Sequence, residues 1–352
     1  MSRFGRCIKF IMILLQHHQT RHQVLQGIDD TYPFTFLRCY HEFERSMGGN
    51  TGILWEEKTD IMIPVKFYRK NFFSFAQFLF HPIKKNQPVS EAEEKYFLQI
   101  ATGFLKDSYH VQRILHSPPF VNFHTAPDKS NFCPFGIYYT DLEQDEAAIF
   151  QNIQSRTRRY IQKAGDKNGL QIKTGESNLR DFYSLHVSTM KREAASYESF
   201  EKLEQFMKFL SPGNMLCMVA YRNEIPEAGL LIPYSYYAGV LYFGGESENP
   251  TGAITNKWLH WEAMRKLKER NVKKMIFGGV RMGDIKGTKY EGIQFFKERF
   301  GPKLENGVLW KMDLQPGYAR LYDGLMNVRN IFSGKKSRPD IIDFYHLRNP
   351  AS

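Results

Sequence analysis

Apolar positions recur along the chain in two rhythms, and the points where one gives way to the other divide it into elements. Residues 52–68, GILWEEKTDIMIPVKFY, and 215–245, MLCMVAYRNEIPEAGLLIPYSYYAGVLYFGG, each show dense apolar runs around a short polar turn. That pattern predicts two β-hairpins. In both, the second strand carries Ile-Pro, as Ile63-Pro64 and Ile232-Pro233. Proline has no N–H for a ladder, which predicts a sheet edge or a bulge there. After a loop, each hairpin is followed by a segment of helical period. One begins at Ser90 in SEAEEKYFLQIATGFLKDSY, with Glu93 placed to close a capping box, and the other begins near Thr255 in TNKWLHWEAMRKLKERN. The second helix leads into a strand, KKMIFGG. One α/β unit used twice accounts for this order.

Between the two units, IFQNIQSRTRRYIQKAGDKNGLQI reads as a basic helix ending near Gly169 and then a strand. The helical pair NLRDFYSLHVSTMKREA and YESFEKLEQFMKFLS follows, stopped by Pro212-Gly213. A further strand, GVLWKMDL, starts at Gly307. The pattern divides the chain into a leader at 1–30, a first unit at 31–155, a second unit at 156–305, and a strand and tail at 306–352 expected to return to the first unit.

One helix breaks its own pattern. In GIQFFKERFG (292–301), at about 100° per residue, Ile293, Phe296, Lys297 and Phe300 share a face, so a lysine stands inside the apolar stripe. Either its ammonium snorkels to water at the edge of the stripe, or it projects into a cleft, where a desolvated cation could stabilise charge developing in a reaction. Helical geometry leaves both open. Just upstream, FGGVRMGDIKGTKYEG ends a strand at Gly278-Gly279 and carries Arg281, Lys286 and Lys289 on a glycine-rich loop. Loops at the carboxyl ends of strands in α/β sheets commonly bind ligands, and these side chains suit a phosphate. A solvated loop is the alternative. RTRRYIQKA holds Arg156, Arg158, Arg159 and Lys163 on a helix, either solvated or in contact with an anion.

Composition narrows the chemistry. The 352 residues, 42% hydrophobic and 24% charged, are those of an ordinary globular protein with about two domains. The net charge of +11 implies an anionic partner: tRNA, a nucleotide-linked substrate, coenzyme A or an acidic membrane surface. Cys7, Cys39, Cys133 and Cys217 are scattered without a C-x-x-C pair, so neither a zinc site nor a disulfide framework is expected. His17, His18 and His22 lie within about one helical turn in the leader, with no acidic ligand close by in sequence, and no metal site is assigned to them. The leader's apolar run from Phe10 to Leu15 is too short to span a bilayer and lacks a cleavage site, which leaves a frayed or membrane-touching segment. No P-loop, G-x-S-x-G, H-E-x-x-H or G-x-G-x-x-G motif occurs, which removes support for the corresponding hydrolase and dinucleotide readings.

Taken in order, these motifs resemble a known family. GIQFFKERFG is similar to the G-x-x-x-F-K-x-x-F-G signature of the Fem-type peptidoglycan aminoacyltransferases and their FemAB-like relatives in the GNAT acyltransferase superfamily. TRRYIQKAGDKNG resembles that family's R-x-x-I-x-K-A followed by glycine, STMKRE its helix ending in Thr-x-x-Arg, and FGG its strand before the signature. The match covers about 150–305 well and the first half loosely. It implies an α/β (α+β) protein of two GNAT-like units, each a mixed sheet flanked by helices, facing a shared cleft. It also implies transfer of an aminoacyl or acyl group from an activated ester or thioester to an amine, on a cell-envelope or peptidoglycan precursor. By the same resemblance Lys297 stabilises the oxyanion beside Phe296. Charge and position make Gly278, Gly279, Arg281, Lys286, Lys289 and Arg158 candidates for holding substrate. Asp284, Glu291 and Glu246 are candidate bases.

The coenzyme A loop usual in GNAT proteins is absent before the helix at Thr255, where only Gly252-Ala253 remains. No long heptad hairpin, of the kind some Fem enzymes carry, is inserted in the second unit. The co-substrate therefore stays open between aminoacyl-tRNA and acyl-CoA, with no tightly bound cofactor expected. The expected partners are an anionic small-molecule or lipid-linked envelope precursor, with tRNA and peripheral membrane contact as further candidates, in the cytoplasm or at the inner face of its membrane. Acylation of an amino sugar, and a non-catalytic module binding RNA or an anionic precursor, are the alternatives.

Overall fold

The computed structural model describes residues 10–14, 28–85, 87–165, 169–211, 213–248, 251–333 and 339–350. Its strands are β1 (Phe10–Leu14), β2 (Asn50–Glu56), β3 (Ile61–Lys70), β4 (Phe73–Phe78), β5 (Arg113–Leu115), β6 (Asn131–Asp141), β7 (Leu170–Thr174), β8 (Met215–Arg222), β9 (Ile225–Pro233), β10 (Gly239–Val240), β11 (Phe243–Glu246), β12 (Lys274–Arg281) and β13 (Lys303–Asp313). The helices are α1 (Arg38–Ser46), α2 (Glu91–Tyr109), α3 (Glu146–Asn152), α4 (Ser155–Gly165), α5 (Leu179–Arg192), α6 (Phe200–Leu210), α7 (Gly252–Glu269), α8 (Lys289–Glu298), α9 (Pro316–Ser333) and α10 (Ile341–Arg348).

Both predicted hairpins form, β2–β3 and β8–β9, and each leads through a further strand to a helix and a parallel return strand. In the first unit β4 runs parallel to β5 after α2; in the second, β10 runs parallel to β12 after α7. The predicted capping box starts α2: Ser90 accepts from the Glu93 N–H while the Glu93 side chain accepts from the Ser90 N–H. Helix α7 begins three residues before its predicted start, at Gly252, and Thr255, inside its first turn, donates to the buried Glu227. Pro64 lies where β4 ends: its carbonyl accepts from Leu79 N at 2.8 Å, and the donor it lacks falls at the limit of that ladder.

The sheets are not one per unit. A nine-stranded sheet runs β1-β2-β3-β4-β5-β13-β6-β12-β10, and a four-stranded sheet runs β11-β9-β8-β7. The second unit's strands divide between them because the chain changes sheet at Leu241-Tyr242. Leu241 N donates to Ile276 O on β12 at 2.9 Å, and the next residue, Tyr242, donates to Leu231 O on β9 at 3.3 Å. Strand β13 pairs with β6 from Lys303↔Tyr139 to Lys311↔Asn131, and with β5 through Met312 and Asp313, so it closes the gap between these two strands of the first unit, while β12 of the second unit pairs with the other edge of β6. The apolar run expected in a leader is strand β1, antiparallel to β2 from Phe10↔Glu56 to Leu14↔Gly52. His17, His18 and His22 lie outside the described residues, among which no metal-holding cluster occurs. No helix among the described residues is long and apolar enough to cross a membrane.

Candidate functional site

Where β10 and β11 part, β12 loses its neighbour on one edge. On its other edge it stays paired with β6 as far as Arg281↔Phe135, with the register shifting between Ile276 and Gly278. Gly278 has φ +89°, a left-handed conformation that glycine adopts without penalty. Gly279 is required for space: a Cβ there would lie 2.2 Å from Phe135 Cζ and 2.6 Å from the Pro119 carbonyl oxygen.

The backbone groups of residues 279 and 281 point to the same edge, since alternate residues do so in an antiparallel ladder. Helix α8 supplies what the missing strand would have given. Gln294 Oε1 accepts from Arg281 N at 2.9 Å, and Lys297 Nζ donates to Gly279 O at 2.8 Å. Lys297 is thus turned inward against the strand, away from the outer surface. With no side chain at Gly278, the ammonium lies 3.6 Å from the position a Cβ would take there.

Aromatic packing fixes α8 in this place. Phe296 meets His260 and Phe300 at ring-centroid distances of 5.2 and 5.4 Å, and Phe300, 1% exposed, lies against Phe277 at 5.5 Å. Burying that ring contributes about 2–3 kcal/mol. The predicted stripe is incomplete: Ile293 is 43% exposed. Burial lowers the Lys297 pKa from 10.5 to about 8, and no carboxylate offsets that cost. Nearby His260 is likewise held neutral, its pKa pushed down to about 4 by burial, with Nδ1 donating to Asn256 O at 2.8 Å.

A cavity of about 170 Å³ opens between the units, lined among others by Tyr40, Glu44, Lys66, Tyr68, Lys202 and Tyr242. It is lined by an ion pair between buried Glu44 and half-buried Lys66. Lys66 Nζ lies 2.5 Å from Glu44 Oε2, and Tyr40 donates to Glu44 Oε1 at 2.9 Å. Tyr68 donates to Gln77 Oε1 at 2.6 Å under the Lys66 ammonium, its pKa raised to about 12 chiefly by burial and further by Glu44. The hydroxyl of Tyr242 is pushed up in the same way. Sequence reasoning missed this cavity. Its one local signal is the alternation of Lys66 and Tyr68 on β3, since Glu44 and Tyr242 arrive from other elements. The Pro118–Phe120 segment separates it from Lys297: Pro118 lines the cavity, the Pro119 carbonyl covers Gly278-Gly279, and Phe120 packs on Tyr242 at 5.5 Å.

The structure gathers Lys297, Phe296, Gly278 and Gly279, and it places the other candidates elsewhere. The Arg281 guanidinium stacks on Tyr290 at 3.7 Å and faces Phe344 at 5.0 Å, with Nη1 buried. Helix α10 supplies Phe344 and also covers the loop beyond. Arg348 pairs with Asp284 at 2.9 Å and donates to Lys286 O, leaving the Lys286 side chain exposed. Lys289 is exposed and reaches Glu193 O at 3.4 Å. Arg158 donates to Gln151 O and Ile153 O, each at 2.6 Å, which satisfies carbonyls at the end of α3. Of the candidate bases, Asp284 is held by Arg348, Glu291 accepts from Gly287 N at 2.8 Å, and half-buried Glu246 accepts from Asn256 Nδ2 at 2.7 Å.

No protein-family model and no curated protein sequence matches the chain. Solved structures do. FemX superposes with a TM-score of 0.64 at 12% identity, covering 81% of this chain and 93% of its own. The C-terminal domain of a protein assigned as a lysylphosphatidylglycerol synthetase, from Agrobacterium fabrum, gives 0.51 at 12% identity, covering 82% and 91%. A tandem GNAT protein from the clavulanic acid biosynthesis pathway gives 0.50 at 9% identity, covering 87% and 98%. The two α/β units, joined where β12 pairs with β6, thus share the fold of FemX and of the tandem GNAT protein across most of each chain.

Proposed function

We propose that the chain is an N-acyltransferase. It moves an acyl or aminoacyl group from an activated ester or thioester to an amine on a cell-envelope precursor. The observation that carries the reading is the Lys297 ammonium, desolvated and fixed on the open glycine edge of β12. The fold shared with FemX and with a tandem GNAT protein supports the same class of chemistry.

An amine attacking an ester or thioester carbonyl forms a tetrahedral intermediate whose oxygen carries the negative charge; the nitrogen gives up a proton, and the C–O or C–S bond breaks as the departing oxygen or sulfur takes one up. An ammonium has three N–H donors. Lys297 uses one on Gly279 O, which fixes the group and leaves two for the oxyanion. A preorganised donor of this kind contributes about 3–4 kcal/mol to the rate. Phe296, packed on His260 and Phe300, anchors the helical turn that carries the cation. Because the donor is already activated, holding both substrates together supplies much of the remaining acceleration.

The test is incubation of the full chain with aminoacyl-tRNA and, separately, with acyl-CoA, each with a lipid-linked peptide precursor or an amino-sugar nucleotide. Products are read by mass spectrometry. An N-acylated product from one donor class is expected. No turnover with either donor, together with RNA binding that weakens steeply with salt, would identify a binding module instead.

A further inference from the structure

Helix α9 and the β3–β4 turn meet at one end of the molecule. Tyr322 on α9 packs edge-on against Phe75 and Phe73, each at 4.9 Å between centroids. One turn further along the helix, Met326 Sδ lies 3.3 Å from Lys70 Nζ. Lys70 Nζ also reaches the Tyr322 hydroxyl at 3.4 Å, so Tyr322 and Met326 hold this stretch of α9 beside the end of the hairpin. At that tip Phe72 is 60% exposed, and on α9 Ile331 is 78% and Phe332 86% exposed. Behind them Tyr318, Leu321, Leu325 and Val328 are also exposed. At about 100° per residue these positions fall on one side of α9, away from Ala319, Tyr322 and Met326, which face the body.

Single exposed apolar residues are ordinary on a protein surface, but a continuous set spanning two elements marks an interaction site. Its rim is basic. Arg69 and Lys70 stand at the hairpin tip and Arg320 and Arg329 on the helix, all exposed, while Asp323, the helix's one acidic residue, is bound by Arg113 at 2.7 Å. We propose that this tip docks on the surface of an anionic phospholipid bilayer. Phe72, Ile331 and Phe332 enter the headgroup boundary, and the arginines and Lys70 meet lipid phosphates. The most exposed apolar residues sit at a turn and a helix end, where they can enter a lipid boundary without unfolding either element. Pairing with a second copy through α9 alone would leave Phe72 and the Arg69-Lys70 turn without a partner. The surface stands on these contacts and does not depend on the acyl-transfer reading.

The experiment is cosedimentation of the full chain with vesicles of phosphatidylglycerol and phosphatidylcholine, against vesicles of phosphatidylcholine alone. Binding to the anionic vesicles is expected, weakening with salt. It should fall at least tenfold in the Phe72→Ser/Phe332→Ser variant and comparably in Arg69→Glu/Arg329→Glu. All four positions are exposed, so the variants should keep the wild-type circular dichroism and melting profile. The proposal is overturned if the chain shows no preference for anionic vesicles, or if the folded variants bind like wild type. It is also overturned if light scattering finds a dimer that the Phe variant dissociates while vesicle binding stays unchanged.

Discussion

Replacing Lys297 with methionine removes the charge while keeping a flexible, mainly apolar side chain of similar length, and stability and activity should respond in opposite directions. The fold lowers the lysine's pKa from 10.5 to about 8. At about 1.4 kcal/mol per unit, holding the protonated form costs the folded state about 3 kcal/mol at neutral pH. Methionine escapes that cost but leaves Gly279 O without its donor, a loss of about 1–3 kcal/mol. The variant should therefore be as stable as wild type or up to about 2 kcal/mol more stable at pH 7. The sign with pH follows. Between pH 8 and 10.5 the unfolded chain keeps a proton that the folded chain has shed, so wild-type stability rises across that window and approaches that of the variant. Urea unfolding at pH 7 and at about pH 10 measures the difference. Acyl transfer should fall about 100-fold or more in the variant, and in wild type it should decline above pH 8 as the ammonium loses its proton. A variant less stable by several kcal/mol with unchanged turnover would refute the mechanism and leave Lys297 as a substitute partner for the β12 edge.

Other substitutions test the surroundings. Gly279→Ala should cost about 2–4 kcal/mol in chemical denaturation, because neither the buried Phe135 ring nor the Pro119 backbone can give way easily. Gly278→Ala finds its nearest atoms at 3.6 and 3.8 Å, so only backbone strain of about 1–2 kcal/mol is expected there. Removing one side of the Glu44–Lys66 ion pair, by Glu44→Gln or Lys66→Met, should cost about 3 kcal/mol, and the double variant should recover part of it; a double-mutant cycle reads the coupling.

What could be read from the sequence was local. The two hairpins, the Ser90 capping box and the Phe296-Lys297 pair each lie within a few consecutive residues, so periodicity and capping chemistry reveal them. The split of the second unit between two sheets did not show, because it turns on a change of partner between adjacent residues, Leu241 and Tyr242, whose pattern stays continuous. Arg281 and Arg158 read as anion ligands because charge is visible in a sequence while the acceptor is not. One is stacked under a ring from α10, and the other caps α3. The Glu44–Lys66 pair joins residues that are polar in any reading, and only the packing of α1 on the sheet buries Glu44.

The insertion of β13 between β5 and β6 orders events during synthesis. Residues 113–115 and 131–141 leave the ribosome long before 303–313 arrive to pair with them. Until then both strands present bare amide edges, and the amino-terminal half cannot finish its sheet as it emerges. Such a nascent chain is a natural client for chaperones. A translational pause placed ahead of residue 303 should trap an aggregation-prone intermediate rather than an independently folded half.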